Sequence, residues 1–184
     1  TIEYPVPACS FALGAAARVV ARSIDTPQAH LIATLKRAHD HAGASFVEIL
    51  QNCVVFNDAV FENITGKEVA ADAQILLEHG KPLLFGPPDD RRALIMEGVT
   101  PKVVRAKDVP ESALWVHDEK NVNAAKLLAD LFAPDFPIPV GVLCAYAAPV
   151  YEDLMMDQEQ RAISDRGPGD IAKLLTSGDT WKIG

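Results

Sequence analysis

Three cysteines and five histidines are the side chains in this 184-residue sequence best suited to metal, redox or proton-transfer chemistry. Cys9, Cys53 and Cys144 are odd in number and widely spaced, which is no disulfide framework and fits a reducing compartment. Cys9 lies in an alanine-rich helical stretch and Cys144 in an apolar strand, where a thiol acts as a small packing residue. Cys53 differs by its place. It follows Phe46-Val-Glu-Ile-Leu50, a strand by its bulky apolar content and buried on at least one face, and then the polar pair Gln51-Asn52. Ligands of open α/β sheets bind beyond the carboxyl ends of strands, so a thiol there has a reach that a mid-strand thiol lacks. No Cys-x-x-Cys accompanies it. A cluster or structural zinc takes about four such ligands, so a complete metal site within these residues is not expected.

The other candidates read as structural. His39 and His41 sit about 200° apart on a helix and do not face one site. His117-Asp118-Glu119 holds residue types that suit a metal or an acid–base pair, but successive strand residues point to opposite faces. A structural or interface role is expected of it. Gly167-Pro-Gly169 and Gly86-Pro-Pro are turn chemistry, and no dinucleotide fingerprint, phosphate-binding loop or nucleophile elbow occurs.

The elements that position these residues follow from patterning. After an extended lead-in over 1–7, Ala8 to Ala17 reads as a short helix whose Gly14 marks a close contact. Val19 to Ile24 is a strand. Asp25-Thr26-Pro27 starts a helix to about Ala42, with Leu31, Ile32, Leu35, Ala38 and Ala42 on its apolar face and Gly43 as its stop. The Phe46 strand completes a βαβ unit. Ala59 to Asn63 and Val69 to His79 read as helical. Leu83 to Phe85, Ala93 to Met96, Lys102 to Arg105 and Leu114 to His117 are short strands, expected as an antiparallel excursion on the main sheet. Lys120 to Phe132 is an amphipathic helix, Val140 to Ala145 a buried strand, and Val150 to Ile163 and Asp170 to Leu175 are helices. The fold class is α/β, a mostly parallel sheet flanked by helices.

A net charge of −8 gives no basic footprint for nucleic acid, and Lys36-Arg37 and Arg91-Arg92 read as solvated surface. No apolar run approaches the ~18 residues of a membrane span, and Thr1-Ile-Glu-Tyr4 is no signal peptide, so a cytoplasmic location is expected. The first residue is Thr, which is expected of a trimmed piece of something longer.

The run Phe46-Val-Glu-Ile-Leu-Gln-Asn-Cys-Val-Val-Phe-Asn-Asp58 closely resembles a segment of the β subunit of the 2-oxoacid:ferredoxin oxidoreductases. The resemblance continues through Ser10 to Asp25, Glu78 to Gly86, Leu114 to Glu119 and Phe136 to Gly141, so it covers residues 4 to 152. The Gln-Asn-Cys and His-Asp-Glu segments look most like the 2-oxoglutarate branch. The resemblance implies part of a thiamine diphosphate-binding fold: 1–86 as the C-terminal part of that domain, and 87–184 as a C-terminal α/β extension of the subunit. It also implies oxidative decarboxylation of a 2-oxoacid to acyl-coenzyme A, with electrons passing through a [4Fe–4S] cluster to ferredoxin. Thiamine diphosphate and Mg2+ would be shared with an α subunit. The family's last cluster ligand falls on Cys53. Its other three cluster cysteines and its Gly-Asp-Gly motif lie upstream of the residues present here, so neither a catalytic residue nor a thiamine contact is assigned, and the chain alone is expected to be inactive. Asn57 and Asp58 would shape the cluster's surroundings or simply form a surface turn. The competing readings are an iron-free thiamine diphosphate-dependent decarboxylase, in which Cys53 is spare, and a non-catalytic α/β interaction module.

Overall fold

The computed structural model describes residues 2, 5–26, 28–181 and 183–184; the Pro27 helix start lies outside them. Two compact units divide at 147/148, so residues on both sides of position 86 share the first unit. That unit opens with helix α1 (Ala8–Gly14), strand β1 (Val19–Ile24), helix α2 (Gln28–His39) and strand β2 (Ser45–Leu50). Helical turns α3 (Glu62–Thr65) and α4 (Ala70–Ala73) lead to strands β3 (Gln74–Leu77) and β4 (Leu84–Phe85). The hairpin β5 (Arg92–Glu97) and β6 (Thr100–Arg105), helix α5 (Val122–Ala129) and strand β7 (Ile138–Ala145) complete it. The second unit holds helices α6 (Tyr151–Arg166) and α7 (Ile171–Leu175), with no strand among its described residues.

The main sheet runs β2-β1-β7-β3. β1 pairs parallel with β2 across the βαβ unit, from Val19↔Ser45 to Ile24↔Leu50, and β3 pairs parallel with β7. Only the β1–β7 pair is antiparallel, and its register slips between Val20 and Ala21. Every residue of β1 is buried, as expected of a central strand covered on both faces. Its Val20 joins one core cluster with Cys9, Leu13, Leu128 and Leu143, and its Ile24 a second with Leu50, Ile138 and Val140. Gly141 sits where only glycine fits. Its φ is +130°, and a Cβ would lie 2.9 Å from the Leu77 carbonyl oxygen across the β7–β3 pair.

Several expectations are corrected. Val69 to His79 is not one helix, because Ile75 and Leu77 are buried and Leu76 is exposed, a period of two that pairs with β7. The turn expected over Ala59 to Asn63 forms three residues later, as α3. The antiparallel strands β4, β5 and β6 form their own sheet instead of extending the main one. Leu114 to His117 makes single bridges, Leu114 to Ile95 and Val116 to Pro82, because its backbone bonds alternate between two neighbours. Gly14 makes no close contact; a Cβ there meets nothing within 4 Å. On α2 the sheet-facing residues are His30, Leu31, Thr34 and Ala38, while Ile32 and Leu35 of the expected apolar face are exposed. Among the described residues after position 147 the regular elements are the helices α6 and α7.

One charge is built into this core. Arg22, in the middle of β1, is 1% exposed; its Nε donates to Glu48 Oε2 at 2.5 Å across the parallel pair. The Arg22→Met variant leaves the Glu48 carboxylate without its partner and is expected to cost on the order of 3 kcal/mol. Urea denaturation of the purified chain measures it, and adding Glu48→Met should restore part of the loss; a double variant less stable than the single one contradicts the pairing.

Candidate functional site

Beyond Leu50 the chain leaves the sheet and turns back over 52–59. Asn52 closes the neck of this loop: its Nδ2 donates to Asp58 Oδ1 at 2.8 Å and its Oδ1 accepts from the Ala59 N–H at 2.9 Å. The Asn57 N–H donates to the Cys53 carbonyl at 2.9 Å, and the two residues form an isolated bridge. Cys53 is exposed at the rim of the sheet, as its place after the strand predicts. The nearby backbone N–H groups of Phe56, Val55 and Asn57 hold the thiol below its ordinary value by favouring the thiolate. A small concave array of amides is the surrounding found at many iron–sulfur and anion sites. Beside the loop neck, at the carboxyl ends of β1 and β2, lies a cleft of about 500 Å3 lined in part by Asp25, Thr26, Asn52, Asp58 and Lys67. Cys53 itself is not among its lining residues.

The other sequence candidates fall into separate surroundings. Cys9 and Cys144 are fully buried. The Cys9 thiol donates to Glu48 Oε2 at 3.3 Å and burial pushes it up to about 12. Burial, then the Glu119 carboxylate, raises Cys144. His117 is 1% exposed, with Nε2 donating to the Val142 carbonyl at 2.8 Å and Nδ1 without a partner. Asp118 is exposed near His79, 3.7 Å away, while Glu119 turns inward to pair with Arg37 at 2.5 Å. The His-Asp-Glu run therefore serves three different neighbours and is structural. His39 is exposed, His41 half-buried, and the two share no ligand. Among the described residues no group of three or more histidine, cysteine or carboxylate side chains is arranged to hold a metal. Among the described residues no helix is long and apolar enough to cross a membrane.

Two features were not anticipated. The Arg22–Glu48–Cys9 cluster has a visible signal, an arginine inside an otherwise apolar strand, which in a fully buried position demands a partner. The amide cradle around Cys53 leaves no residue-type signature, because it is made of backbone.

No family model matches the chain. The 2-oxoglutarate oxidoreductase subunit KorB of Mycobacterium tuberculosis is 30% identical over 188 residues, covering 100% of this chain and 50% of that protein. A solved 2-oxoglutarate:ferredoxin oxidoreductase from Magnetococcus marinus, with 2-oxoglutarate, coenzyme A and succinyl-CoA bound, superposes with a TM-score of 0.59 at 19% identity. The match covers 97% of this chain and 46% of that one, and it shows that the two share a fold. The chain spans about half the length of both proteins.

Two outcomes follow from the ionisable groups. Iodoacetamide is expected to label Cys53 in the folded chain with a pH midpoint below the ordinary 9.0, while Cys9 and Cys144 react only after denaturation. Phe56→Pro removes one of these amide groups, and an unmoved midpoint in that variant contradicts their influence on the thiol. Burial also lowers His30 and His117 in the folded state. The unfolded chain therefore takes up these protons first as pH falls below 6.5, so their contribution is complete above 6.5 and is lost toward the lower folded values. Urea midpoints at about pH 7.5 and about pH 5.5 should differ less in His117→Gln than in the wild type.

Proposed function

We propose, from a chain that is a β-subunit-like segment of the 2-oxoglutarate oxidoreductase kind, that the complete protein oxidatively decarboxylates 2-oxoglutarate to an acyl-coenzyme A and passes the electrons to ferredoxin. Two observations support this reading. The alignment with the curated subunit runs through the whole chain, and the one exposed cysteine lies in an amide cradle at the carboxyl rim of the sheet.

The residues present fit one corner of a [4Fe–4S] site. Cluster irons are bound by thiolates, and the cradle favours the thiolate of Cys53. The cofactors, thiamine diphosphate with Mg2+ and the cluster, supply when bound an electron sink for loss of CO2 and one-electron transfer to ferredoxin. What this chain does is narrower. Cys53 offers a ligand sulfur, and the N–H groups of residues 55–57 spread its negative charge and fix its direction. The Asn52–Asp58–Ala59 clasp holds the loop at constant length from β2, so the sulfur stays at a set distance from the sheet rim. A single thiolate does not hold a four-iron cluster, so the remaining ligands and the diphosphate site belong to residues outside this chain, and the chain alone is inactive. An α subunit is the proposed partner, and the cytoplasm the proposed compartment.

Expression of the full reading frame with its α subunit tests this. The complex should contain iron and sulfide and reduce a viologen dye with 2-oxoglutarate, dependent on coenzyme A, and faster than with pyruvate. Cys53→Ser is expected to lower both iron content and dye reduction at least about tenfold. Iron content unchanged by that substitution, with CO2 released in the absence of coenzyme A, supports an iron-free decarboxylase in its place.

A further inference from the structure

A groove of about 710 Å3 lies along β3, at the edge of the main sheet opposite β2. The chain builds it by folding back on itself without closing a ladder. At the turn the Lys81 N–H donates to the Glu78 carbonyl, and at the far end the Gly86 N–H donates to the Ala71 carbonyl at 2.7 Å. Between these two closures β3 pairs with β7 and β4 with β5, so the two arms stay splayed. The alternation that buries Ile75 and Leu77 sends Leu76 to the other face, where it is 57% exposed and lines the groove with Leu84 and Phe85. Parallel strands are ordinarily covered on both faces, and this face of β3 is bare. The volume is that of a small-molecule site, in which an apolar wall carries a few placed polar groups.

Arg91 and Arg92 are neighbours in sequence but face different surroundings. Arg92 is occupied within the fold: it pairs with Asp72, and its guanidinium carbon lies 4.7 Å from the centre of the Phe85 ring. Arg91 lines the groove, and its Nη1 donates to the Gly86 carbonyl at 2.9 Å, which holds the guanidinium at the Gly86 end. A guanidinium has five N–H donors, and among the described residues no carboxylate pairs with this one. Lys81 also lines the groove, but at the turn end, where Glu78 offsets its charge. The unbalanced positive charge therefore sits at one end. From it the five residues back to Lys81 span at most about 18 Å of mostly apolar wall.

We infer that this groove binds a medium-chain carboxylate anion, with its head on Arg91 and its alkyl chain along Leu76, Leu84 and Phe85. A planar guanidinium meets a carboxylate through paired N–H bonds, and a single negative charge matches the one unbalanced cation. The chain is held by burial, so affinity follows its length until it reaches the charged turn at Glu78 and Lys81. No residue of the Cys53 loop lines the groove, so the inference stands apart from the function proposed above.

Calorimetric titration of the purified full-length protein with hexanoate, octanoate, octanol and octylammonium tests it. Octanoate is expected to bind about fifteenfold more tightly than hexanoate, or about fourfold per methylene, and more tightly than either octanol or octylammonium. Arg91→Gln should weaken octanoate about tenfold and leave octanol unchanged, with Arg91→Lys in between. Leu76→Thr should remove much of the gain from chain length. Octylammonium binding as tightly as octanoate, an octanoate affinity unchanged by Arg91→Gln, or no octanoate binding at all overturns the site. The four probes report on the wild type alone, so the outcome is decided even where a variant does not fold. Each of these results leaves iron content and dye reduction, which test the proposed function, where they are.

Discussion

A guanidinium sealed inside the central strand is the constraint around which the first unit is arranged. A guanidinium carries five N–H donors and no acceptor, so burying Arg22 forces the fold to supply acceptors for it. Three elements converge to do so. Glu48 of β2 takes Nε, the Ala129 carbonyl at the C-terminal end of α5 takes one terminal nitrogen at 3.3 Å, and the Pro139 carbonyl of β7 stands at 3.5 Å from the other. The Phe132 ring lies 5.0 Å from the guanidinium carbon. A helix C-terminus carries partial negative charge, so the placement of α5 suits a cation there. These contacts leave little freedom in how β2, α5 and β7 sit against β1. The in-phase β1–β2 register that results decides where the chain emerges beyond Leu50, and with it the position of the Cys53 loop.

Cys9 and Cys53 show how far placement divides identical side chains. Both thiols have polar neighbours, but those neighbours differ in sign. Cys9 is buried and donates to a carboxylate that already holds Arg22, so its proton is retained. Cys53 is exposed and its neighbouring backbone N–H groups hold its thiol below the ordinary value. Only the second arrangement provides a thiolate that metal or electrophile can reach. The buried thiols need no reactivity to be useful, since each fills a small volume in the core next to Val20 and Leu143.

Long, consistent patterns made much of this fold legible in the sequence. β1 and β7 were readable as short apolar runs, α5 from its amphipathic stripe, and the two C-terminal helices from helix-forming composition bounded by the Gly167-Pro-Gly169 break. Val69 to His79 misled because its alanine-rich start favours helix, while Ile75 and Leu77 acquire their strand pattern only by meeting β7, more than sixty residues later. The α2 stripe was rotated for a similar reason: the sheet selects His30 and Thr34, which can bond or pack beneath it, over the more apolar Ile32 and Leu35. At the site, the position of Cys53 was readable from the strand that precedes it. Its cradle was not, because it depends on a clasp between Asn52, Asp58 and Ala59 that no periodicity encodes.

The exposed apolar side chains follow the same topology. Ile32 and Leu35 lie on the helix before β2, Ile49 on β2, and Val54 to Phe56 on the loop after it. β2 is an edge strand, hydrogen-bonded on one side only and paired in parallel. Parallel strands are ordinarily buried on both faces, and natural edges are blunted by charge, proline or a bulge. β2 carries one charged residue, Glu48, and its carboxylate is turned inward to Arg22, so it does not guard the edge. The interaction that fixes the core therefore also removes the charge that would have made this rim a finished exterior. That is why apolar surface gathers around β2, next to the single accessible thiol.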